Sequence, residues 1–310
     1  MKKKISVIFS FKNEEKNLTE LIKRITKVLD AHTSNYSYEL IFVNDSSTDN
    51  SLSILLEQQK LFPIVIINLS RTFGFVSGVF AGLDHSNADL LIYMDSDLQD
   101  PPELIPELLK KYEDGYDVVH THRVKRRGEN FFKMYLTKMA YKLINFLSDI
   151  DLPIEVGDFK LISRRVVDEL RNFKEVNPYL RGLSIWIGFK QAIVPYTREP
   201  RYSGITHFPL FEFAPLAEMF RGITSFSTKP LLFGIFSGII SVFFSIILSV
   251  YILYNKIIGT AVPGSSGIII AICFFSGVIL INLGFIGLYI SKIHEQTKKR
   301  KRYIVREIIK

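Results

Sequence analysis

Two long stretches without a charged side chain limit what this chain of 310 residues can fold into. They run from Pro230 to Asn255 and from Ile257 to Ser291, and a bilayer crossing needs only about 20 apolar residues. A proline and two glycines between 255 and 267 indicate a short connection, so we predict membrane helices near 230–254 and 267–291. The alternative is a pair of buried core helices, but uncharged runs of this length are rare in soluble domains.

The charges around these stretches predict their orientation. The connection carries only Lys256, whereas the segment after Ser291 contains the basic run KKRKR at 298–302. By the positive-inside rule this tail lies in the cytoplasm, and two spans then leave both termini on the cytoplasmic side of the plasma (inner) membrane. The basic run also resembles a nucleic-acid-binding patch, but beside a membrane span we interpret it as an anchor to the lipid surface. The formal net charge of +8 calls for an anionic partner, and we expect a membrane rather than nucleic acid because no nucleic-acid-binding motif is present.

The part of the chain before residue 123 alternates short apolar runs with amphipathic segments. The apolar runs, interpreted as strands, are Ile5–Phe9, Leu40–Val43, Ile64–Leu69, Leu90–Met94 and Val118–Val119. Continuous apolar strands separated by helical segments predict an α/β fold with a mostly parallel sheet that is covered on both faces. In such sheets ligands bind beyond the carboxyl ends of the strands, which locates the site before any motif is considered.

Paired carboxylates follow one of these predicted strands. Asp95 and Asp97 come directly after the strand LLIYM, and side chains two residues apart on a strand point to the same side. Such a pair suits Mg²⁺ or Mn²⁺, which also bind diphosphate oxygens. The alternative is that both side chains cap the helix that follows.

Polar residues at the ends of the first two strands point to the same edge. Asp45 ends the second strand in the segment NDSSTD, and Glu14 follows the first strand. Helix capping explains Ser47, Thr48 and Asp49, but it does not explain Asn44 and Asp45, whose side chains we expect to face the ligand edge. The sequence argues against a Rossmann dinucleotide site, because no glycine-rich turn follows the first strand.

Several longer segments resemble a known enzyme family. SVIFSFKNEE, FVNDSSTD, NLSRTFG and MDSDLQDPPE occur in the order and at spacings similar to the family-2 glycosyltransferases of the GT-A fold. VGDFKLISRRVVDEL, LRGLSIWIGFKQ, REPRYSGIT and SFSTKPL resemble the subgroup that makes polyprenyl-phosphate sugars, which includes dolichol-phosphate mannose synthases and bactoprenol glucosyltransferases. The resemblance covers essentially the whole chain and implies a Rossmann-like GT-A domain followed by two membrane helices.

The resemblance implies roles for the matched residues. Asp45 and Glu14 would bind the nucleoside, and Asp95 would contact ribose or a metal ion. Asp97, a catalytic candidate, would ligate Mg²⁺ or Mn²⁺ together with Gln99. The other nucleotide-binding candidates in the motifs are Ser10, Lys12, Arg71 and Ser96. The catalytic candidates near the sugar and the two phosphate groups are Asp158, Arg123, Arg126, Arg127, Arg164, Arg181 and Arg201.

The implied reaction is inverting transfer of a hexose from a nucleotide diphospho-sugar to polyprenyl (undecaprenyl) phosphate, for cell-envelope glycosylation. The family usually has Pro-x-Tyr-Asn-Glu where this chain has residues 10–14, two acids where it has Asn44 and Asp45, and often a lysine where it has Phe75. The first two differences fall on nucleoside-contacting positions, so the base stays open. UDP-glucose or UDP-N-acetylglucosamine is the expected donor, and GDP-mannose is the alternative. The resemblance also suggests a homo-oligomer, a tetramer.

The sequence also defines expected domains and two rival functions. We expect a cytoplasmic catalytic domain at 1–228 with an interfacial segment near 207–228, a membrane region at 229–291 and a basic tail at 292–310. The interfacial segment could instead be an ordinary amphipathic packing helix. A processive polysaccharide synthase would have more spans and a Gln-x-x-Arg-Trp motif, whereas here Ile185 precedes Trp186. A catalytically silent, membrane-tethered binding protein is the other rival, and the intact acid motif argues against it.

Overall fold

The computed structural model describes residues 2–126, 156–199, 226–259 and 264–310. Within them, eight strands form one sheet in the order β7-β5-β6-β4-β1-β2-β3-β8. Six run in one direction and two run against them. The six are β1 (Lys3–Phe11), β2 (Tyr36–Asn44), β3 (Ile64–Leu69), β4 (Leu90–Met94), β5 (Val118–Arg126) and β7 (Gln191–Arg198), and the reversed strands are β6 (Val156–Ser163) and β8 (Val305–Ile309).

The mostly parallel α/β sheet predicted from the sequence is therefore confirmed. The bounds of β3 and β4 are those that the apolar runs predicted. The strand predicted at Val118–Val119 extends to Arg126 in the structure. The prediction was too short because the residues after Val119 are mostly polar or basic and give no apolar signal. The carboxyl ends of the six parallel strands lie at one edge of the sheet, together with the amino end of β6.

Helices cover both faces of the sheet. The helices are α1 (Leu18–Asp30), α2 (Ser51–Gln58), α3 (Phe75–His85), α4 (Ile105–Glu113), α5 (Arg164–Asn172), α6 (Leu180–Trp186), α7 (Lys229–Ile257) and α8 (Ser265–Thr297). Val7 and Phe9 face a core with α1, α2 and α4, whereas Ile8 faces a second core with α3, α5 and α6. This alternation follows the two-residue period of a strand. Gly82 brings α3 close to β1, because a Cβ atom there would lie 2.3 Å from Cγ2 of Ile8.

The two C-terminal helices are long and apolar enough to cross a membrane. The apolar segments are Lys229–Ile257 and Phe274–Thr297, and their side chains are not buried by the rest of the protein. The predicted helices near 230–254 and 267–291 are thus present, and both are longer than expected. Asn282 joins the pair by donating a hydrogen bond from Nδ2 to Oγ of Ser237 at 3.1 Å.

The end of the chain corrects one expectation. Residues 292–310 were expected to form a basic tail, but α8 continues to Thr297 and β8 pairs with the edge strand β3. Asn68 donates from Nδ2 to Oε1 of Glu307 at 2.9 Å, which fastens the two strands side by side. A five-residue strand gives too short an alternation to be recognised beside a charged run. The sheet is therefore built from both the first and the last strands of the chain, and most of the segment near 207–228 lies outside the described residues.

Candidate active site

Three of the described loops at the carboxyl edge of the sheet contain a left-handed residue that is not glycine. They are Asn13 after β1, Ser46 after β2 and Leu98 after β4, with φ values of 56°, 61° and 59°. Leu98 is the most unusual, because bulky residues rarely adopt this conformation, and its side chain is buried in the core. Such strain persists only where the surroundings fix it and is concentrated at functional sites. The core therefore fixes the turn that carries Asp97 and Gln99.

Carboxylates gather where β4 and β6 meet at this edge. Asp97 is 7% exposed, Asp100 is fully buried, and Oδ1 of Asp97 accepts a hydrogen bond from the backbone N–H of Gln99 at 3.1 Å. Burial raises the pKa of Asp95 to about 7, and the charges of Asp100, Asp158 and Asp97 raise it further, with Arg123 opposing them. A cation beside Asp95 and Asp97 would offset the charges of these neighbouring carboxylates.

Asp158 and Arg181 form a two-pronged ion pair beside this group. Nε of Arg181 donates to Oδ1 of Asp158 at 2.9 Å, and a second guanidinium nitrogen donates to Oδ2. Burial alone would raise the pKa of Asp158, but Arg181 reverses the effect and lowers it to about 2. Asp158 is therefore ionised at neutral pH and holds the guanidinium in one orientation.

Lys160 lies behind this pair and was not predicted from the sequence. It is fully buried, and its Nζ donates to Oγ of Ser184 at 2.7 Å. That hydroxyl in turn donates to the backbone oxygen of Arg181 at 2.8 Å, so the lysine supports the backbone that carries the arginine. Burial lowers the pKa of Lys160 to about 7, although Asp158 acts in the opposite direction. The two-residue spacing from Asp158 along β6 is the signal that could have found it.

A second buried ion pair fixes Arg123, which lies in the second half of β5. Its guanidinium lies 3.2 Å from Oδ2 of Asp100, and its Nε donates to the hydroxyl of Tyr196 at 2.9 Å. Tyr196 also donates to Asp100, and Nε of Arg198 lies 3.5 Å from the same carboxylate. Asp100, Tyr196 and Arg198 were not singled out from the sequence, because their meeting depends on β5 and β7 being neighbours.

Asp45 contacts the backbone of a neighbouring loop, and its contact with a nucleoside stays a prediction. Its carboxylate accepts hydrogen bonds from the backbone N–H groups of Phe73 and Gly74 at 2.7 and 2.9 Å, just before α3 begins. Asn44 accepts from the N–H of Ser47 at 2.8 Å, and its Nδ2 donates to Asn68 at 2.9 Å. Neither side chain caps the helix that follows β2, in agreement with the sequence analysis, and both have structural partners that the sequence did not predict. Both hold loops together, and Asp45 joins the loop after β2 to the loop after β3.

The other nucleotide-binding candidates are divided between the surface and the interior. Lys12 donates from Nζ to Oγ1 of Thr72 at 3.0 Å, and Arg71 stacks 4.1 Å above the ring of Phe73. Both cations are exposed. They lie at one corner of the edge, because Lys12 contacts the residue next to Arg71. Ser10, by contrast, is buried under α3, where a Cβ atom on Gly78 would overlap its hydroxyl.

Glu14 and Ser96 complete the set of nucleotide-binding candidates. Glu14 accepts a hydrogen bond from Nδ2 of Asn17, and its backbone N–H donates to Oγ of Ser51 at 3.0 Å. Ser96 lies between the two acids of the β4 loop and is largely buried. The structure therefore keeps both at the predicted edge of the sheet.

Sequence comparison assigns the chain to a family. The family described as glycosyl transferase family 2 matches residues 6–171, more than half of the chain. A Bacillus subtilis protein named uncharacterized glycosyltransferase YkcC is 41% identical over 304 residues, which are 97% of this chain and 93% of that protein. The Escherichia coli protein named prophage bactoprenol glucosyl transferase homolog is 35% identical over 309 residues, 99% of this chain and 100% of the other. The chain belongs to glycosyl transferase family 2.

A solved structure agrees with this assignment at the level of the fold. Glucosyl-3-phosphoglycerate synthase from Mycobacterium tuberculosis, solved with Mn²⁺, UDP and phosphoglyceric acid, superposes with a TM-score of 0.51 at 19% identity. The match covers 72% of this chain and 76% of that one. The GT-A fold that the motifs implied is confirmed, and the chain is a glycosyltransferase with two candidate membrane spans.

We call Asp95, Asp97, Asp100 and Asp158 the acid cluster. Not every predicted site residue of this glycosyltransferase lies near it. Arg164 follows β6 at the opposite edge of the sheet, where its guanidinium donates to the backbone oxygens of Ala88 and Ser86 at 2.9 and 2.7 Å. Its predicted place near the sugar is therefore corrected, because β6 runs against its neighbours and carries its last residue away from the site. Arg126 ends β5, and Arg127 and Arg201 lie outside the described residues.

The acid cluster fits a divalent cation that shares its ligands with a substrate. Among the residues that the structure describes, no group of three or more His, Cys, Asp or Glu side chains is arranged to hold a metal ion. Mg²⁺ commonly takes only one or two carboxylates and completes its coordination with water and substrate phosphates. Asp95 and Asp97 offer such a partial set, and a cation there would offset the carboxylate charges that add to the effect of burial on the pKa of Asp95.

Proposed function

We propose that this glycosyltransferase moves a hexose from a nucleotide diphospho-sugar to polyprenyl phosphate at a membrane surface, with inversion at the anomeric carbon. The observation that carries the proposal is a carboxylate cluster flanked by two oriented arginines, in a chain that also has two helices of membrane-spanning length. The full-length match to a bactoprenol glucosyl transferase homolog supports the lipid acceptor.

The donor diphosphate is held at the edge formed by the β4 loop. Asp97, Gln99 and Asp95 would hold Mg²⁺ or Mn²⁺, and the bound cation would supply positive charge beside the leaving nucleoside diphosphate. Lys12 and Arg71, exposed at the neighbouring corner, are placed to contact the nucleotide. Asp45 acts by fixing the loop before α3, and Glu14 lies on the loop that follows β1.

The acceptor phosphate needs orientation more than it needs a base. A phosphate monoester has a second pKa of about 6, so at neutral pH most of it is already a dianion. Its oxygen attacks the anomeric carbon as the diphosphate leaves, and one direct displacement inverts the sugar. Arg181, held by Asp158, and Arg123, held by Asp100, are the described cations that would bring the two phosphates together. Arg127 and Arg201 remain candidates for the same task.

Membrane attachment brings the site to its lipid substrate. We propose that α7 and α8 cross the plasma membrane and that the catalytic domain and both termini lie in the cytoplasm. β8 belongs to the same sheet as β1, which requires the chain to return to the side from which it entered, as two spans allow. The basic residues after α8 give that side its positive charge.

The experiment is transfer of radiolabelled sugar by the purified full-length protein to undecaprenyl phosphate in detergent. UDP-glucose, UDP-N-acetylglucosamine and GDP-mannose are compared with Mn²⁺, with Mg²⁺ and with a chelator. We expect label in the lipid from a UDP-hexose, loss of that label with chelator, and inversion in the product by NMR. Donor binding without lipid label from any of the three would contradict the proposed reaction.

A further inference from the structure

A separate cavity lies where the end of α8 meets the catalytic domain. Its volume is about 1230 Å³. One wall is formed by the ends of α3 and α5 with residues 173–176, and the other by residues 296–305. None of the acid-cluster residues lines it. We name it the juxtamembrane cavity.

The lining of the juxtamembrane cavity is strongly basic. Its cations are Arg171, Lys174, Lys299, Arg300, Lys301 and Arg302. Among the described residues that line it, Asp84 is the only acid, and its carboxylate is already occupied. It accepts a hydrogen bond from the hydroxyl of Tyr303 at 2.6 Å and lies 3.7 Å from Nε of Arg171. The cavity therefore carries an excess of positive charge.

Two of these cations build the walls, and the other four are available. Arg302 donates from Nε to the backbone oxygen of Glu175 at 2.7 Å and lies 4.3 Å above the ring of Phe80. Arg171 donates to the backbone oxygens of Leu83 and Ser86. The side chains that are exposed, and that form no ion pair within the described parts of the chain, are Lys174, Lys299, Arg300 and Lys301.

The available cations are held at the end of a candidate membrane span. Gln296 of α8 accepts the backbone N–H of Val176 at 3.0 Å and donates to the backbone oxygen of Lys174 at 2.7 Å. The pairing of β8 with β3 fixes the other end of the segment. The cations therefore belong to a defined surface next to α8, and the half-buried side chain of Phe173 adds an apolar part to the lining.

We propose that the juxtamembrane cavity binds the phosphate headgroup of an anionic phospholipid and thereby docks the catalytic domain on the bilayer. The inference rests on the proposal that α7 and α8 span a membrane, and it is independent of the sugar and the acceptor. A lipid headgroup fits better than a soluble anion, because Lys299, Arg300 and Lys301 come just after α8, whose apolar side chains are exposed. Each basic residue near an anionic surface strengthens binding by about fivefold.

The full-length protein in detergent is titrated with dioctanoyl phosphatidylglycerol, with dioctanoyl phosphatidylcholine and with inorganic phosphate. Bound lipid is counted by native mass spectrometry. The fluorescence of Trp186 reports the site, because this sole tryptophan packs edge-on against Phe173 with ring centroids 5.6 Å apart. The test variant combines Lys174→Gln, Lys299→Gln and Lys301→Gln. The charge-matched control combines Lys23→Gln, Lys60→Gln and Lys110→Gln, which are exposed elsewhere.

We expect one phosphatidylglycerol to bind per protein, with a saturable change in Trp186 emission. The dissociation constant should be at least tenfold higher for the test variant than for the control. Equal binding of phosphatidylcholine, equal binding by the two variants, or no bound lipid would overturn the inference. Competition by inorganic phosphate at equal concentration would identify a free-phosphate site and also overturn it. Sugar transfer is measured on the same samples. Active protein without lipid binding refutes only this inference, and lipid binding by inactive protein refutes only the proposed reaction.

Discussion

At the scale of single residues, Asp158 and Arg181 show how the site orients the arginine that we propose as a phosphate-binding group. Two parallel hydrogen bonds hold the guanidinium, while Lys160 and Ser184 support the backbone behind it. An ammonium group in place of the guanidinium keeps the charge but cannot make both bonds in the same plane. The geometry of the pair therefore matters more than its charge.

Arg181→Lys tests this geometry. We expect kcat for sugar transfer to fall by about tenfold to a hundredfold, with little change in Tm, because orientation is lost while the charge remains. The matched control is Arg164→Lys, which changes the same residue type at the opposite edge of the sheet. Steady-state kinetics of both variants are compared, and an equal loss of kcat in the two would contradict the assignment.

Lys160 gives a prediction about pH. Its pKa of about 7 in the folded protein lies below the value of about 10.4 for a free lysine, so the unfolded chain binds more protons between these two values. Stability due to this group is therefore fully present above the higher pKa and is lost as pH falls towards 7. Lys160→Met removes this dependence, so the Tm of the variant relative to wild type should be higher at pH 7 than at pH 10.

The control for this measurement is Lys60→Met, which replaces an exposed lysine. Its charge is in water in both states, so its effect on Tm should be the same at the two pH values. A pH-independent difference for Lys160→Met would mean that burial does not disfavour its charge.

The sequence predicted some of these residues and not others for a physical reason. Asp95 and Asp97 were predicted because strand periodicity and the carboxyl-edge rule act over a few residues. The partners of Asp45 and Asp100 were not, since Phe73 and Arg123 reach them only after strands distant in sequence have paired. Arg164 was misplaced because the reversed direction of β6 cannot be read from its composition.

At the scale of elements, β8 links the membrane region to the catalytic sheet. It covers the edge of β3, which would otherwise expose a row of unpaired backbone groups. Ile309 also packs against the core that contains α1 and α2. The apolar runs predicted β3 and β4 to the residue, whereas β8 is short and follows a charged run, so only its pairing identifies it.

Deletion of residues 305–310 tests the structural role of β8. We expect Tm to fall by about 5–10 °C. Losing a strand costs several kcal/mol of stability, and each kcal/mol changes Tm by about 2–4 °C in a chain of this size. Deletion of Lys310 alone is the control, since it leaves the ladder intact. Thermal unfolding in detergent is the measurement, and equal Tm values for both deletions would show that β8 does not stabilise the sheet.

At the scale of the whole molecule, one sheet joins the two ends of a chain whose intervening part contains two membrane-length helices. The sequence predicted these helices because long uncharged runs need no tertiary information. It could not predict the juxtamembrane cavity, whose walls come from α3, α5 and the end of α8. The acid cluster and this basic surface occupy different parts of the molecule, so the proposed chemistry and the proposed docking on the membrane can be tested separately.

The most direct measurement is the rate of label transfer to undecaprenyl phosphate by wild type, Asp97→Asn and Asp114→Asn, each with Mn²⁺. Asp97→Asn keeps the shape of the side chain but removes a charge needed beside the diphosphate, and we expect a loss of about a hundredfold or more. Asp114→Asn makes the same change at an exposed position near α4 and should match wild type. Wild-type transfer by Asp97→Asn would contradict the claim that the acid cluster at the carboxyl edge of the sheet carries out the reaction.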